Sequence, residues 1–207
     1  MSGLLRTHWA IAPVTAPRPL INCNRCGGPR PYRCSDKFRV NANGKRIDVW
    51  LIYRCIGCDN SWNFTILERR NRRDIEPTML AALESNDPAF ARRHAFDTAA
   101  LRCRVGYVEE FPEVTVRKRG LDGAEAATVL ELRLDLELPV SARLDRMLAG
   151  ELGMSRSRLQ ALDEKGRLAI APEGGKALRK PVRHGTVVRI DLAGESDRAA
   201  IFTAAGG

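Results

Sequence analysis

Four of the six cysteines fall into two pairs of one spacing, Cys23-x2-Cys26 and Cys55-x2-Cys58. The chemistry that asks for this pattern is thiolate coordination of a metal ion. Zn2+ takes four thiolates at ~2.3 Å in a tetrahedron, and each Cys-x2-Cys turn points two sulfurs inward. Gly27, Gly28 and Gly57 supply the permissive backbone such a turn needs. Four protein ligands close the site, so the expected Zn2+ is structural and not catalytic. The competing chemistries fit less well. An iron–sulfur cluster takes four cysteines in a tighter run. A redox Cys-x2-Cys leaves the second pair unexplained. Disulfides are disfavoured in a reducing compartment. Cys34 and Cys103 read as small buried apolar residues, although Cys34 would be the substitute ligand in a shifted register. His8, His94 and His184 are scattered, with no metalloprotease-type spacing.

A second group of chemistry-bearing residues is basic and lies near the other end of the chain. Arg143 and Arg146 are three apart, on one face of an expected helix, and Arg158 and Lys165 are seven apart on the next. Ser155 and Arg156 stand at the start of that second helix, where free N–H groups and the helix dipole favour phosphate. Arg167, Lys176 and Lys180 follow in the expected strands and turns. A surface of this kind reads RNA by shape and phosphate contact and not by base sequence. Around the cysteines, Arg25, Arg30, Arg33, Lys37, Arg39, Lys45, Arg46 and Arg54 alternate with Trp50, Tyr53, Trp62 and Phe64. Basic residues with exposed aromatics can hold a phosphate backbone and stack bases. Trp50 and Trp62 are each expected to pack against the hairpin, which leaves the arginines as phosphate contacts.

The charge follows the same division. Of the net +9, residues 1–67 carry +7, residues 68–137 carry −2, residues 138–192 carry +5 and the rest −1. Basic excess on discrete modules points to an anionic partner, usually nucleic acid. No apolar run approaches the length of a transmembrane helix, and residues 1–21 contain no continuous apolar core of a secretory signal. A cytoplasmic protein with no membrane partner is therefore expected. No nucleophile elbow, P-loop or dinucleotide-binding glycine run occurs, so no enzyme is expected.

The elements that must position these groups can be read from periodicity. Asn43-Gly44 between Phe38–Val40 and Ile47–Arg54 is a hairpin signal. Pro77–Glu84 reads as a helix with Pro in its first turn. Asp87 and Asp97 read as caps of two more. Val129 to Leu138 alternates strictly, with five leucines on one face. That is a half-buried antiparallel strand, paired to Val114–Val116 through a loop at 120–126. Leu144, Met147, Leu148 and Leu152 make a helical face ending at Gly153. Ser155 caps the next helix, and short strands follow at Leu168–Ile170 and Thr186–Leu192. The Ala/Gly-rich end reads as frayed.

Two family resemblances add to this. Residues 20–64 resemble a zinc ribbon. With Phe38 to Gly44, Ile47 to Cys55 and Trp62-Asn63, the chain resembles an uncharacterised bacterial protein family with an N-terminal zinc ribbon. The ordered series Arg143-Leu144-Asp145, Ser155-Arg156-Ser157, Gly166-Arg167-Leu168 and Lys180-Pro181 resembles the S-four-type (alpha-L) RNA-binding domain. It departs from that pattern at Ala171 to Lys176, at Asp163 and at His184-Gly185-Thr186. The implied fold class is α+β, in four parts. These are a zinc ribbon (1–67), a mixed connecting segment with short helices and an antiparallel hairpin (68–137), an alpha-L-like helix–helix–strand module (138–192) and a flexible tail (193–207). The implied function is non-enzymatic binding of structured RNA of the ribosomal or transfer class, with ribosome association as one setting. The alternative is a protein-interaction adaptor that docks through the ribbon and a degenerate helix pair.

Overall fold

The computed structural model describes residues 3–122, 127–172 and 177–206. In chain order the strands are β1 (Gly3–Pro13), β2 (Arg18–Cys23), β3 (Gly28–Asn43), β4 (Arg46–Cys55), β5 (Ser61–Asn71), β6 (Val108–Glu109), β7 (Val114–Asp122), β8 (Ala127–Leu136), β9 (Leu168–Ala171) and β10 (Thr186–Asp191). The helices are α1 (Pro77–Ser85), α2 (Pro88–Ala95), α3 (Thr98–Arg102), α4 (Leu144–Leu152), α5 (Arg156–Glu164) and α6 (Arg198–Gly206). They build two compact units, one from Thr15–Glu110 and one from Met1–Val14 with Phe111–Gly207. This division does not coincide with the boundaries expected at 67/68 and 137/138.

In the unit of residues 15–110 the sheet order is β5-β4-β3-β2-β6. The turn expected at Asn43-Gly44 joins β3 to β4, with Gly44 at φ 61°. Both strands are longer than expected, and β5 extends the sheet by pairing Phe64 with Leu51 and Trp62 with Tyr53. Ile47, Val49, Leu51, Tyr53 and Cys55 alternate inward and are buried. Three short helices pack on that inner face. Glu76 caps α1, Asp87 caps α2 and Asp97 caps α3, each side chain accepting from a first-turn N–H. Asn86 closes α1 in the left-handed conformation at φ 56°, and its side-chain oxygen accepts from the Phe38 N–H at 2.6 Å. Phe38 also meets Phe90 at 5.9 Å between ring centroids.

In the unit of residues 1–14 and 111–207 the order is β7-β1-β8-β10-β9. β1 enters between β7 and β8, antiparallel to the first and parallel to the second. The hairpin expected between 114–116 and 129–138 therefore does not form, because β1 occupies the position between its two arms. Part of its expected loop, 123–126, lies outside the described residues. Leu130, Leu132 and Leu134 point inward as expected, and they meet Trp9, Ile11, Val188 and Ile190 from the neighbouring strands. Leu144, Met147, Leu148 and Leu152 of α4, with Leu159 and Leu162 of α5, close this core from one side.

The fold class expected from sequence is thus corrected. The chain is β-rich, with two five-stranded sheets. Its N-terminal third is not a ribbon: β1 belongs to one sheet, while the cysteine-bearing strands belong to another that also covers α1–α3. The helix pair is not a self-contained helix–helix–strand module either. β10 pairs with β8, and α4 and α5 share their core with β1.

The end of the chain is also corrected. Residues 198–206 form α6, with Ile201 and Ala205 buried. Its approach is tied by Arg158, which meets Asp197 and Glu195 at 2.5 Å each, and by Arg167, which meets Glu195 at 2.9 Å. Its last carbonyls are tied by Lys118, whose Nζ donates to Ala204 O at 2.8 Å, and by Trp9, whose Nε1 donates to Ala205 O at 2.9 Å.

Candidate metal centre and basic surfaces

The first cysteine pair sits where β2 ends. Cys23 O accepts from the N–H groups of Cys26 (3.1 Å) and Gly27 (2.9 Å), and Gly27 adopts φ 70°. The second sits where β4 ends. Cys55 O accepts from Asp59 N–H at 2.9 Å, and Asp59 holds the matching left-handed conformation at φ 56°. The pairing of β3 with both β2 and β4 brings the two turns together. A Cβ at Gly57 would stand 3.4 Å from the Cys26 sulfur, so this position leaves room for the facing turn and little more.

The four sulfurs all lie within 4.8 Å of one another. Cys23 and Cys58 are 3.5 Å apart, and Cys26 and Cys55 are 3.9 Å apart. A tetrahedron with ~2.3 Å metal–sulfur bonds has edges of ~3.8 Å, so the set fits a metal ion. These separations far exceed the ~2.05 Å of a disulfide. Cys23 and Cys55 are buried, and Cys26 and Cys58 are half-buried. Tyr32, opposite Cys55 in the sheet, and Asn60 surround the Cys23 sulfur, with Asn60 Nδ2 at 3.9 Å. The Tyr32 hydrogen bond draws the Cys23 thiol down to about 6. Cys26, crowded by the Cys58 sulfur and by burial, is pushed up to about 12. Such a cluster favours one thiolate over four unless a cation balances them. Tyr32 and Asn60 escaped the sequence reading, although Asn60 stands two residues after Cys58 and Tyr32 alternates in phase with the buried face of β3.

Cys34 and Cys103 are not part of this set. Cys34 is half-buried, its thiol pushed up to about 12 by burial, and Cys103 is exposed. The expectation that Cys103 is buried is therefore corrected.

The nine basic-surface residues have different fates. Arg143 stands just before the first turn of α4 and grips Asp145 with Nε (3.1 Å to Oδ1) and Nη2 (2.7 Å to Oδ2). Arg156, in the first turn of α5, reaches the same Asp145 Oδ2 at 3.3 Å. Asp145 is 6% exposed. Burial pushes its carboxyl upward, but the bond to Arg143 and the charges of Arg143 and Arg156 outweigh that and hold it low. Both arginines line one cleft of about 560 Å³, with Ser157, Gln160 and Arg179. Asp163 and Glu164 line it too, so guanidinium and carboxylate groups are equal in number there. Ser155 caps α5 by accepting from Arg158 N–H at 3.1 Å. Arg146, Lys165 and Lys180 are exposed.

Arg158 and Arg167 are engaged within the chain. Their side chains pair with Glu195, Asp197 and Asp191 and so fasten the approach to α6. Lys176 lies outside the described residues. Arg179 was missed: its Nη2 donates to Gln160 Oε1 at 3.2 Å across the cleft. Its only sequence signal was its place beside Lys180.

Among the described residues no helix is long and apolar enough to cross a membrane. A family model described as "Protein of unknown function (DUF1062)" matches residues 40–173, well over half of the chain, and the chain belongs to that family. The matched stretch contains the second cysteine pair and both helices of the basic pair. No curated protein and no solved structure matches the chain. The family match gives no indication of an enzyme.

Proposed function

We propose that this member of a family of unknown function is a non-enzymatic RNA-binding protein, with one structural Zn2+ held by Cys23, Cys26, Cys55 and Cys58. The observation that carries the RNA reading is the shared grip of Arg143 and Arg156 on Asp145. One buried carboxylate fixes two guanidinium groups from the starts of two helices, and both line the same open cleft. A guanidinium held in place loses little freedom when it meets a phosphate oxygen. Arg146, Lys165 and Lys180 add exposed charge for further phosphate contacts. The ligand this suits is structured RNA of the ribosomal or transfer class, read by shape.

The zinc reading rests on the donor set. Four thiolates are soft ligands that select Zn2+ or an iron–sulfur cluster, and the pairwise distances match one tetrahedral ion. With every position filled by sulfur, the ion organises the two turns and does no chemistry. Purified native protein should hold about one equivalent of zinc by elemental analysis; iron with acid-labile sulfide would replace this reading.

The RNA reading is tested by titrating a transfer RNA at several salt concentrations. Multiple phosphate contacts give a log–log slope of several units, and each lost contact lowers it by just under ~1. Replacing Arg143, Arg146 and Arg156 together by Ala should flatten the slope by about two to three units. No binding at ~50 mM salt, or an unchanged slope in the triple variant, sinks the proposal. The equal number of acids and guanidinium groups in the cleft favours one second reading, a protein-interaction adaptor. A purified protein free of co-purifying nucleic acid, by its absorbance ratio at 260 and 280 nm, would move the balance there.

A further inference from the structure

We infer that the outer face of the β3-β4-β5 sheet is a platform for single-stranded RNA, with a nucleobase stacked on Trp50. The inference does not depend on the helix-pair cleft, which lies in the other unit. In β4 every second side chain points into the core, so Trp50, Ile52 and Arg54 point the opposite way. None of the three belongs to the buried core of that unit, and its helices α1–α3 cover the other face. Trp50 is therefore unlike Trp62, which packs inward against Tyr53 at 5.5 Å and Phe64 at 5.8 Å.

The register builds the platform around Trp50. Arg39 stands beside it on β3 and Thr65 on β5, and Asn63 stands beside Ile52. The Arg39 guanidinium lies 5.9 Å from the Trp50 ring centroid. An indole with a guanidinium over it is an arrangement that can take a base by stacking and its phosphate by charge. Arg54 and Arg33 pair across the strands further along. From Trp50 to Arg54 is four residues of strand, about 13 Å, a length for a short run of nucleotides. Residues 28–56 carry seven basic side chains against two acids. One of those acids, Asp48, already accepts from Arg69 N–H at 2.7 Å. Asn63 and Thr65 offer hydrogen-bonding groups to a 2′-hydroxyl, which distinguishes RNA from DNA.

The test uses the full chain and oligouridine of about ten nucleotides. Trp9 is fully buried and Trp62 is packed inward, so Trp50 is the reporter. Oligouridine should quench tryptophan emission. Trp50→Leu should weaken binding at least about tenfold and abolish the quench, as expected for one lost base stack. Trp50→Phe keeps a ring and should bind within a few-fold of the native chain. Arg39→Ala should lower the salt slope by about 0.7, one phosphate contact to a single strand. The Arg143, Arg146 and Arg156 triple variant should bind oligouridine as the native chain does, which separates failure of this inference from failure of the helix-pair reading. Trp50 lies outside the core, so circular dichroism and metal content should be unchanged in both variants. No binding at ~50 mM salt, or native affinity in Trp50→Leu, overturns the platform. Equal affinity for oligodeoxythymidine overturns its assignment to RNA.

Discussion

The two units each lay helices on one face of a five-stranded sheet, yet they are held together by different means. The unit of residues 1–14 and 111–207 has a core of leucine, isoleucine, valine and methionine around a single tryptophan. Its loose end is fastened by arginine–carboxylate pairs and by Lys118. The unit of residues 15–110 has fewer aliphatic side chains and more aromatic ones, and two of its buried residues are the cysteines of the candidate metal set. The lesson is that the cysteines stand in for apolar mass. Where β2 and β4 end, no leucine cluster draws the turns together, and four sulfurs within 4.8 Å of one another occupy that place.

The sharpest way to break this comparison is to deprive the four cysteines of the proposed Zn2+. Structural zinc contributes ~10–16 kcal/mol of apparent binding energy in zinc-finger peptides, comparable with the whole ~5–15 kcal/mol stability of an ordinary domain. Chelation, or Cys55→Ser, should therefore unfold the unit of residues 15–110. The unit that holds Trp9 should stay folded. The readout is a red shift in Trp50 and Trp62 emission and two separated thermal transitions, the lower one metal-dependent. A single unchanged transition in the stripped protein would show that both units rest on packing alone.

Much of this contrast could be read from residue spacing. The cysteine pairs, the caps at Asp87, Asp97 and Ser155, and the leucine alternation of β8 all lie within a few residues of what they organise. What escaped depends on distant partners. In β1 the inward Thr7, Trp9 and Ile11 alternate with Ala10 and Ala12, and apolar alanines erase the period-two signal. The parallel partner of β1 stands over 120 residues later, beyond any local pattern. Residues 198–206 looked frayed because they are Ala/Gly-rich; the groups that dock them, Lys118 and Trp9, are elsewhere. For the same reason Arg158 matched a basic motif and was assigned to RNA. In the structure it pairs with Glu195 and Asp197, in the stretch read as a tail. The site of four cysteines was legible because metal geometry is local and strict. The carboxylate partners of the basic residues were not legible, because an arginine can serve a ligand or a carboxylate with the same sequence.

The next effect in size concerns the other unit. Leu132 is fully buried among strands and helices, so Leu132→Ala should cost ~2–5 kcal/mol. It should lower only the Trp9-reporting transition and leave the bound metal equivalent in place. Loss of metal in this variant would join two units that the comparison holds separate.

The smallest effect is a pH dependence that includes the approach to α6 in that same unit. Glu195 and Asp197 are held below the usual carboxylate range, first by their hydrogen bonds to Arg158. A depressed folded value means that the contribution is fully present above the unfolded value near ~4. It is lost as pH falls through the lower folded value. The native chain should therefore hold its Trp9-reporting melting temperature from neutral pH to about 5 and then lose it steadily toward pH 3. Arg158→Gln removes the cation that lowers both groups. In that variant the melting temperature should be modestly lower at neutral pH, and the two curves should converge in acid, where the native carboxylates are protonated as well. Parallel curves would mean that packing of Ile201 and Ala205 alone docks α6, and that the ion pairs around residue 195 contribute nothing to the difference between the two units.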